Sequence, residues 1–141
     1  MGEIPELEKS DIMKNFLSKA ISISGRKTSL GESVETIGTV IHDLEKRYDF
    51  LKHVQINDTR FSEPGSNTVV VTSGINSINS NDFGKAIQEI MTTVTHSMSK
   101  NAGYFFLKEL QQRLGDDYYS TMKDMGVDLS LLRLETEVLK Y

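Results

Sequence analysis

The chain has three histidines, the residue type used most often for metal binding and for proton transfer near neutral pH. None of them, His42, His53 or His96, is followed by a second histidine at the spacing that places two ligands on one helix face. On helical projections His42 and His53 lie away from the apolar face of their helix, and His96 lies about 180° from Ile87. The sequence therefore predicts solvated histidines, with no metal site, no cofactor and no catalytic residue.

A basic loop precedes the expected second helix. Its sequence, Gly-Arg-Lys-Thr-Ser at 25–29, lacks the glycine spacing of a phosphate-binding P-loop and follows a helix rather than a strand. Arg26 and Lys27, together with the free N–H groups at the start of the helix, can still hold a simple anion. A solvated connector without a ligand is the alternative.

Aromatic residues are concentrated late in the chain, as Tyr-Phe-Phe at 104–106 and Tyr-Tyr at 118–119. Such clusters either fill a core that has no tryptophan or line a ligand pocket. The neighbouring charges have mixed signs, which favours core packing. The chain carries no Ser-His-Asp set, nucleotide-binding fingerprint or kinase motif, so we predict that it is not an enzyme.

Apolar spacing and capping residues predict the elements that position these side chains. A first helix is expected over 6–23, and a second begins at Leu30 after a capping box at 29–32. From about residue 54 the apolar period changes from 3.6 to 2. This change, with a Pro-Gly turn in the middle, predicts a β-hairpin over 54–75.

Capping residues and glycines divide the second half of the chain. Asn79 or Ser80 is expected to cap a third helix. Gly103 predicts a bend, and Gly115 and Gly126 predict helix ends. The residue after Gly126 is placed to pack back on the helix, as in a Schellman motif.

The C-terminal segment 129–139 alternates apolar residues or threonine with charged residues, which predicts a strand. A helix is the alternative, since Leu131, Leu134 and Val138 also share one helical face. We therefore predict an α+β fold: two N-terminal helices, a β-hairpin, two or three further helices, and a C-terminal strand that completes a small antiparallel sheet.

The clearest periodic pattern lies in the second helix, expected over 30–53. Apolar residues recur there at alternating spacings of four and three, the seam of a heptad repeat. Glycines at 31 and 38 on its flank would let another backbone approach. The predicted interface residues are Val34, Ile37, Gly38, Ile41, Leu44, Tyr48 and Leu51. The alternative is that this face packs inside the monomer, as in any core helix.

Length and composition limit the remaining choices. The 141 residues predict a single domain over 1–141, with 1–5 disordered. The absence of cysteine excludes disulfides and thiolate metal sites and favours a cytoplasmic location, and no signal-peptide or membrane-spanning pattern is present. A net charge of −4 with interleaved signs disfavours binding to nucleic acid.

Together these observations predict a non-enzymatic regulatory or scaffold module in signalling, acting through protein–protein contacts. Its partner would be a second copy, in a homodimer, or a helical protein, bound through helix 30–53. The alternative prediction is a small-molecule or anion sensor. Its pocket would be lined by the late aromatic residues or by the Arg26-Lys27 loop.

Overall fold

The computed structural model describes residues 8–25, 30–57, 68–97 and 100–127. Within these ranges helices pack around a two-stranded antiparallel sheet, which confirms the α+β class. The helices are α1 (Lys9–Gly25), α2 (Leu30–Leu44), α3 (Ser80–His96) and α4 (Lys100–Asp124). The strands are β1 (Val54–Ile56) and β2 (Val69–Val71). A first 3-10 helix covers Asp49–His53 and a second covers Ser73–Ser77. None of the described helices is long and apolar enough to cross a membrane.

Helix α1 lies at the centre of the core. Its buried side chains span about 180° of the helix circumference at 100° per residue. They are Ile12, Met13, Phe16, Leu17, Ala20, Ile21, Ile23 and Ser24. Helices α2 and α4, strand β2 and the second 3-10 helix all pack against α1. Its first turn is also held from outside the helix, because the Ser10 N–H donates to Asn76 Oδ1 at 2.8 Å.

Two buried serines join α1 to α2. Their Oγ atoms, on Ser24 and Ser33, lie 2.5 Å apart. The Ser33 hydroxyl also donates to the Ile21 carbonyl at 2.9 Å. An unpaired buried hydroxyl would cost about 1–3 kcal/mol, so these hydrogen bonds keep two polar groups inside an otherwise apolar helix contact.

Helix α2 is shorter than predicted, because it ends at Leu44 rather than near residue 53. The chain turns there, and the Tyr48 N–H donates to the Leu44 carbonyl at 2.8 Å. Had the helix continued, Phe50 would lie about 120° from Leu44 and point away from the apolar face. The turn instead buries Phe50 and the adjacent Leu51 together. Burial of two neighbouring apolar residues therefore overrides the heptad spacing.

The hairpin predicted over 54–75 is confirmed, although its strands are short and Ser73 already belongs to the second 3-10 helix. The strands pair antiparallel, with Val54 opposite Val71. One further backbone bond, from the Thr72 N–H to the His53 carbonyl at 3.0 Å, extends the pairing. Strand β1 packs on α2 and β2 on α1, which gives the hairpin the apolar support that an isolated one lacks.

Helix α3 has the predicted cap and a buried apolar stripe. The Asn79 side-chain oxygen accepts the N–H groups of Asn81 at 2.8 Å and Asp82 at 3.4 Å. The stripe comprises Ala86, Ile87, Ile90, Met91 and Val94. The bend predicted at Gly103 is wrong, because this residue is buried inside α4, where an isolated glycine is tolerated.

The other two glycines of this half do interrupt helices. Gly115 breaks α4 with a φ of 81°, and Gly126 follows its end with a φ of 98°. The Gly126 N–H donates to the Lys123 carbonyl and the Val127 N–H donates to the Met122 carbonyl, both at 3.0 Å. These two bonds form the predicted Schellman motif, and Val127 is buried against the core.

Several predictions concern residues outside the described ranges. Among them are the strand at 129–139, disorder at 1–5, the Pro-Gly turn of the hairpin and the start of the capping box at residue 29.

Two glycine substitutions test how the helices end. Gly126→Ala should lower the free energy of unfolding by about 1–2 kcal/mol, because a Cβ disfavours positive φ. Gly38→Ala is the matched control inside α2, where a Cβ would lie 3.9 Å from Ile56 Cβ, an ordinary contact. This control should raise the free energy of unfolding by about 0.5–1 kcal/mol. Urea denaturation measures both, and a shift of the same sign in both variants would contradict the account.

Candidate functional site

An open cleft lies where the turn after α2, the two 3-10 helices and the start of α3 meet. We call it the junction cleft. Its volume of about 410 Å³ is within the range of about 300–1,000 Å³ usual for small-molecule sites. The ionisable residues that line it include Arg47, Asp49, Lys52, His53 and Asp82.

The apolar part of the lining is continuous with the protein core. Tyr48, Phe50 and Ile78 contribute it. The Tyr48 and Phe50 rings meet edge to face, with centroids 5.9 Å apart. Phe50 in turn packs on the fully buried Phe83, with centroids 6.5 Å apart. The cleft therefore rests on side chains that folding already fixes.

Glu89 of α3 lies beside two of the lining residues, Arg47 and Tyr48. Arg47 Nη1 donates to Glu89 Oε1 at 2.8 Å, whereas Glu89 Oε2 is buried and has no hydrogen-bond partner among the described residues. Burial raises the pKa of the Tyr48 phenol above its usual 10.0, and the nearby Glu89 carboxylate raises it further. Because the phenol stays protonated at neutral pH, Tyr48 acts as a hydrogen-bond donor.

His53 links the base of the hairpin to the cleft. Its Nδ1 forms a hydrogen bond with Thr72 Oγ1 at 2.9 Å. The imidazole lies directly over Gly74: a Cβ at this position would fall 2.5 Å from Cε1 and 2.9 Å from Nε2. The ring can occupy this place only because residue 74 has no side chain.

Asp82 lies in the first turn of α3, where the helix dipole stabilises a carboxylate. The Asn79 cap already satisfies the Asp82 N–H. Across the described ranges the Asp82 carboxylate has no hydrogen-bond donor and no cation paired with it. The cleft therefore contains one exposed carboxylate whose interactions are left to solvent or to a ligand.

The charges of the cleft are balanced. Arg47 and Lys52 are positive, Asp49 and Asp82 are negative, and His53 adds a neutral or positive ring. Lys52 Nζ lies 3.1 Å from Asp49 Oδ2, with both side chains exposed. The lining thus offers both signs of charge beside an apolar surface.

The chain matches no protein-family profile, no curated protein and no solved structure. Its function has to be inferred from the geometry of the described residues. Within those residues, no group of three or more histidine or carboxylate side chains could hold a metal ion.

The apolar seam predicted as an interface faces the core of its own chain. The buried members are Val34, Ile37, Ile41, Leu44 and Leu51. Helices α1 and α3, strand β1 and the first 3-10 helix cover α2. Tyr48 and Leu51 lie beyond the end of α2, and Gly38 is half-buried near Ile56. Burial of these described seam residues in their own chain favours the alternative prediction, that this face packs inside the monomer.

The other candidate residues have different outcomes. His42 and His96 are exposed, as predicted, but His53 is half-buried in the cleft and not freely solvated. The prediction of a solvated His53 assumed that the second helix continues to residue 53. Because that helix ends nine residues earlier, at Leu44, His53 does not lie on its outer face. Arg26 and Lys27 lie outside the described ranges.

The late aromatic residues divide between core and surface. Phe106 is buried, whereas Phe105 is 55% exposed and packs edge-on against Tyr104 with centroids 5.6 Å apart. Tyr118 and Tyr119 are half-buried against the core. None of these side chains lines the junction cleft.

Sequence reasoning missed the junction cleft because its lining residues are distributed over positions 47–82 and belong to no motif. One available signal was the segment 47–52, in which charged residues are mixed with aromatic and apolar ones. Such a mixture is unusual for a continuing core helix. Another was Gly74, which lies in a segment that was interpreted only as the end of a strand.

Replacing Ile41 with aspartate distinguishes a core face from an interface. The side chain is 4% exposed, so Ile41→Asp should lower the free energy of unfolding by more than about 3 kcal/mol and abolish the folded state. Thr39→Asp, on the exposed side of the same helix, should change it by less than about 0.5 kcal/mol. Circular dichroism and light scattering give the readout. A folded, monomeric Ile41→Asp protein would instead show that the seam is a surface.

Replacing Gly74 with alanine tests whether the His53 ring needs the space that this glycine leaves. Gly74→Ala should destabilise the protein by about 1–3 kcal/mol, because the new Cβ overlaps the imidazole. The same change in a His53→Ala background should cost much less, since the overlapping atoms are gone. A double-mutant cycle in urea measures this coupling. Additive effects would mean that residue 74 is constrained by something other than the ring.

Proposed function

We propose that this protein is a non-enzymatic regulatory module that binds a small polar molecule in the junction cleft, in other words a ligand sensor. The supporting observation is the cleft itself: about 410 Å³, with an apolar lining continuous with the core and ionisable side chains of both signs. Small-molecule sites typically combine such an apolar surface with a few fixed polar groups. The regulatory role expected from sequence is kept, but a small molecule replaces the second protein chain as partner.

The fixed positions of the lining residues favour binding. Tyr48 packs edge to face on Phe50, and the His53 ring bonds to Thr72 and occupies the space that Gly74 leaves. Side chains that are immobilised before a ligand arrives lose less conformational entropy when it binds. The cleft is therefore prepared to bind with little rearrangement.

The same geometry offers little for chemistry. Tyr48, with its raised pKa, stays a neutral donor instead of a base. The cleft carboxylates are exposed, and general acid catalysis by a carboxyl group typically needs an enclosing apolar wall. Binding without turnover is the function that these residues support best.

A ligand screen with two tryptophan variants tests the proposal. Ser77 lines the cleft and Ser73 does not, although both are exposed on the same 3-10 helix. A panel of free amino acids, carboxylic acids, phosphates and nucleosides should contain compounds that raise the melting temperature of the wild type. At ten times Kd a ligand adds about 1.4 kcal/mol, a shift of a few degrees. Ser77→Trp should abolish the shift, because the indole occupies the cleft, and Ser73→Trp should keep it.

Two results would contradict this function. One is a panel in which no compound shifts the melting temperature. The other is a ligand that stabilises Ser77→Trp as strongly as the wild type, which would place its site elsewhere.

A further inference from the structure

The charge pattern of the junction cleft narrows the class of its ligand, an inference that rests on the proposed function. We infer that the ligand is a free α-amino acid with an apolar side chain. Such a molecule carries a carboxylate, an ammonium group and an apolar substituent, and the cleft contains a counterpart for each.

The ammonium group has its counterpart in Asp82. This carboxylate is exposed, lines the cleft and has no cation partner in the described part of the chain. An ammonium group placed beside it forms charge-assisted hydrogen bonds without displacing a protein cation.

The carboxylate group has its counterparts in Arg47 and Lys52. Each already has a carboxylate partner: Glu89 Oε1 at 2.8 Å from Arg47, and Asp49 Oδ2 at 3.1 Å from Lys52. The Arg47 side chain is 65% exposed and that of Lys52 56% exposed, so these ion pairs contribute little to folding. Both cations can turn toward an incoming carboxylate at low cost, and a guanidinium has further N–H donors available for it.

The apolar substituent has its counterparts in Ile78 and the ring of Tyr48, both half-buried, and in the small part of Phe50 that reaches the cleft. A purely ionic ligand would leave this apolar surface in contact with water. A side chain such as that of leucine covers it and gains free energy in proportion to the area buried.

A simple anion fits the same cleft less well. The nearest helix N-terminus, that of α3, is already capped by Asn79, and the Asp82 carboxylate lies in its first turn. Any anion must therefore approach a negative charge as well as Arg47 and Lys52. The balanced lining penalises a ligand of either single sign relative to a zwitterion.

Three compounds with the same isobutyl group test the inference: leucine, 4-methylpentanoate and 3-methylbutylamine. The second lacks the ammonium group and the third lacks the carboxylate. Titration calorimetry and amide chemical shifts of the wild type should show leucine binding at least about tenfold more tightly than either analogue. Equal or tighter binding of one analogue would overturn the zwitterion assignment.

Charge-removing variants assign each contact to its side chain. Asp82→Asn should weaken leucine about tenfold, to the affinity that the wild type has for 4-methylpentanoate. Arg47→Gln should bring leucine toward the affinity for 3-methylbutylamine. The matched controls are Asp43→Asn, an exposed carboxylate on α2, and Arg113→Gln, which is likewise paired with a surface glutamate. Both controls should leave leucine affinity unchanged, and a loss in a control equal to that in its partner would overturn the assignment.

Failure of this inference and failure of the proposed function give different results. If inorganic phosphate or a carboxylic acid binds in the cleft and leucine, methionine and phenylalanine do not, the amino-acid inference is wrong and the sensor function stands. If no panel compound binds, both are wrong.

Discussion

Helix α1 must be covered on half of its circumference, and this requirement organises the rest of the structure. A helix with one narrow apolar stripe can rest on a single neighbour, whereas a buried arc of about 180° needs partners on two sides. Helix α2 and helix α4 supply them, and β2 fills the space between. The hydrogen bond from Ser10 to Asn76 then fixes the second 3-10 helix to the start of α1. The junction cleft is thus a consequence of core packing, because its second 3-10 helix is anchored to the central helix.

Burial within the monomer also accounts for the heptad pattern of α2. A heptad pattern records only which residues avoid water, and the covering surface can belong to the same chain or to another. Here α1, α3 and β1 provide it. The turn at the end of α2 adds to this, since it buries Phe50 and Leu51 and exposes Arg47 and Lys52 beside them. The segment that follows α2, residues 47–53, therefore contributes much of the lining of the cleft.

Features set by local interactions could be predicted from sequence, and features set by tertiary contacts could not. The Asn79 cap and the Schellman motif at Gly126 depend on residues within one turn, and both were predicted. The end of α2 has no glycine or proline to mark it, and it depends on the distant ring of Phe83 packing on Phe50. The candidate site is of the second kind: His53 and Gly74 come into contact only through the pairing of β1 with β2. In the sequence, the charged residues of the site therefore resemble the solvated face of an ordinary helix.

The hydroxyl pair between Ser24 and Ser33 has a consequence for how the protein can move. Packed helices often slide past each other by a fraction of a turn during shear motions, since apolar contacts tolerate small displacements. Sliding α1 along α2 would separate these two oxygens and break the hydrogen bond from Ser33 to the Ile21 carbonyl. Buried polar groups would then have no hydrogen-bond partner, which is unfavourable. The two hydrogen bonds therefore oppose sliding of α1 along α2, so we expect these two helices to move together.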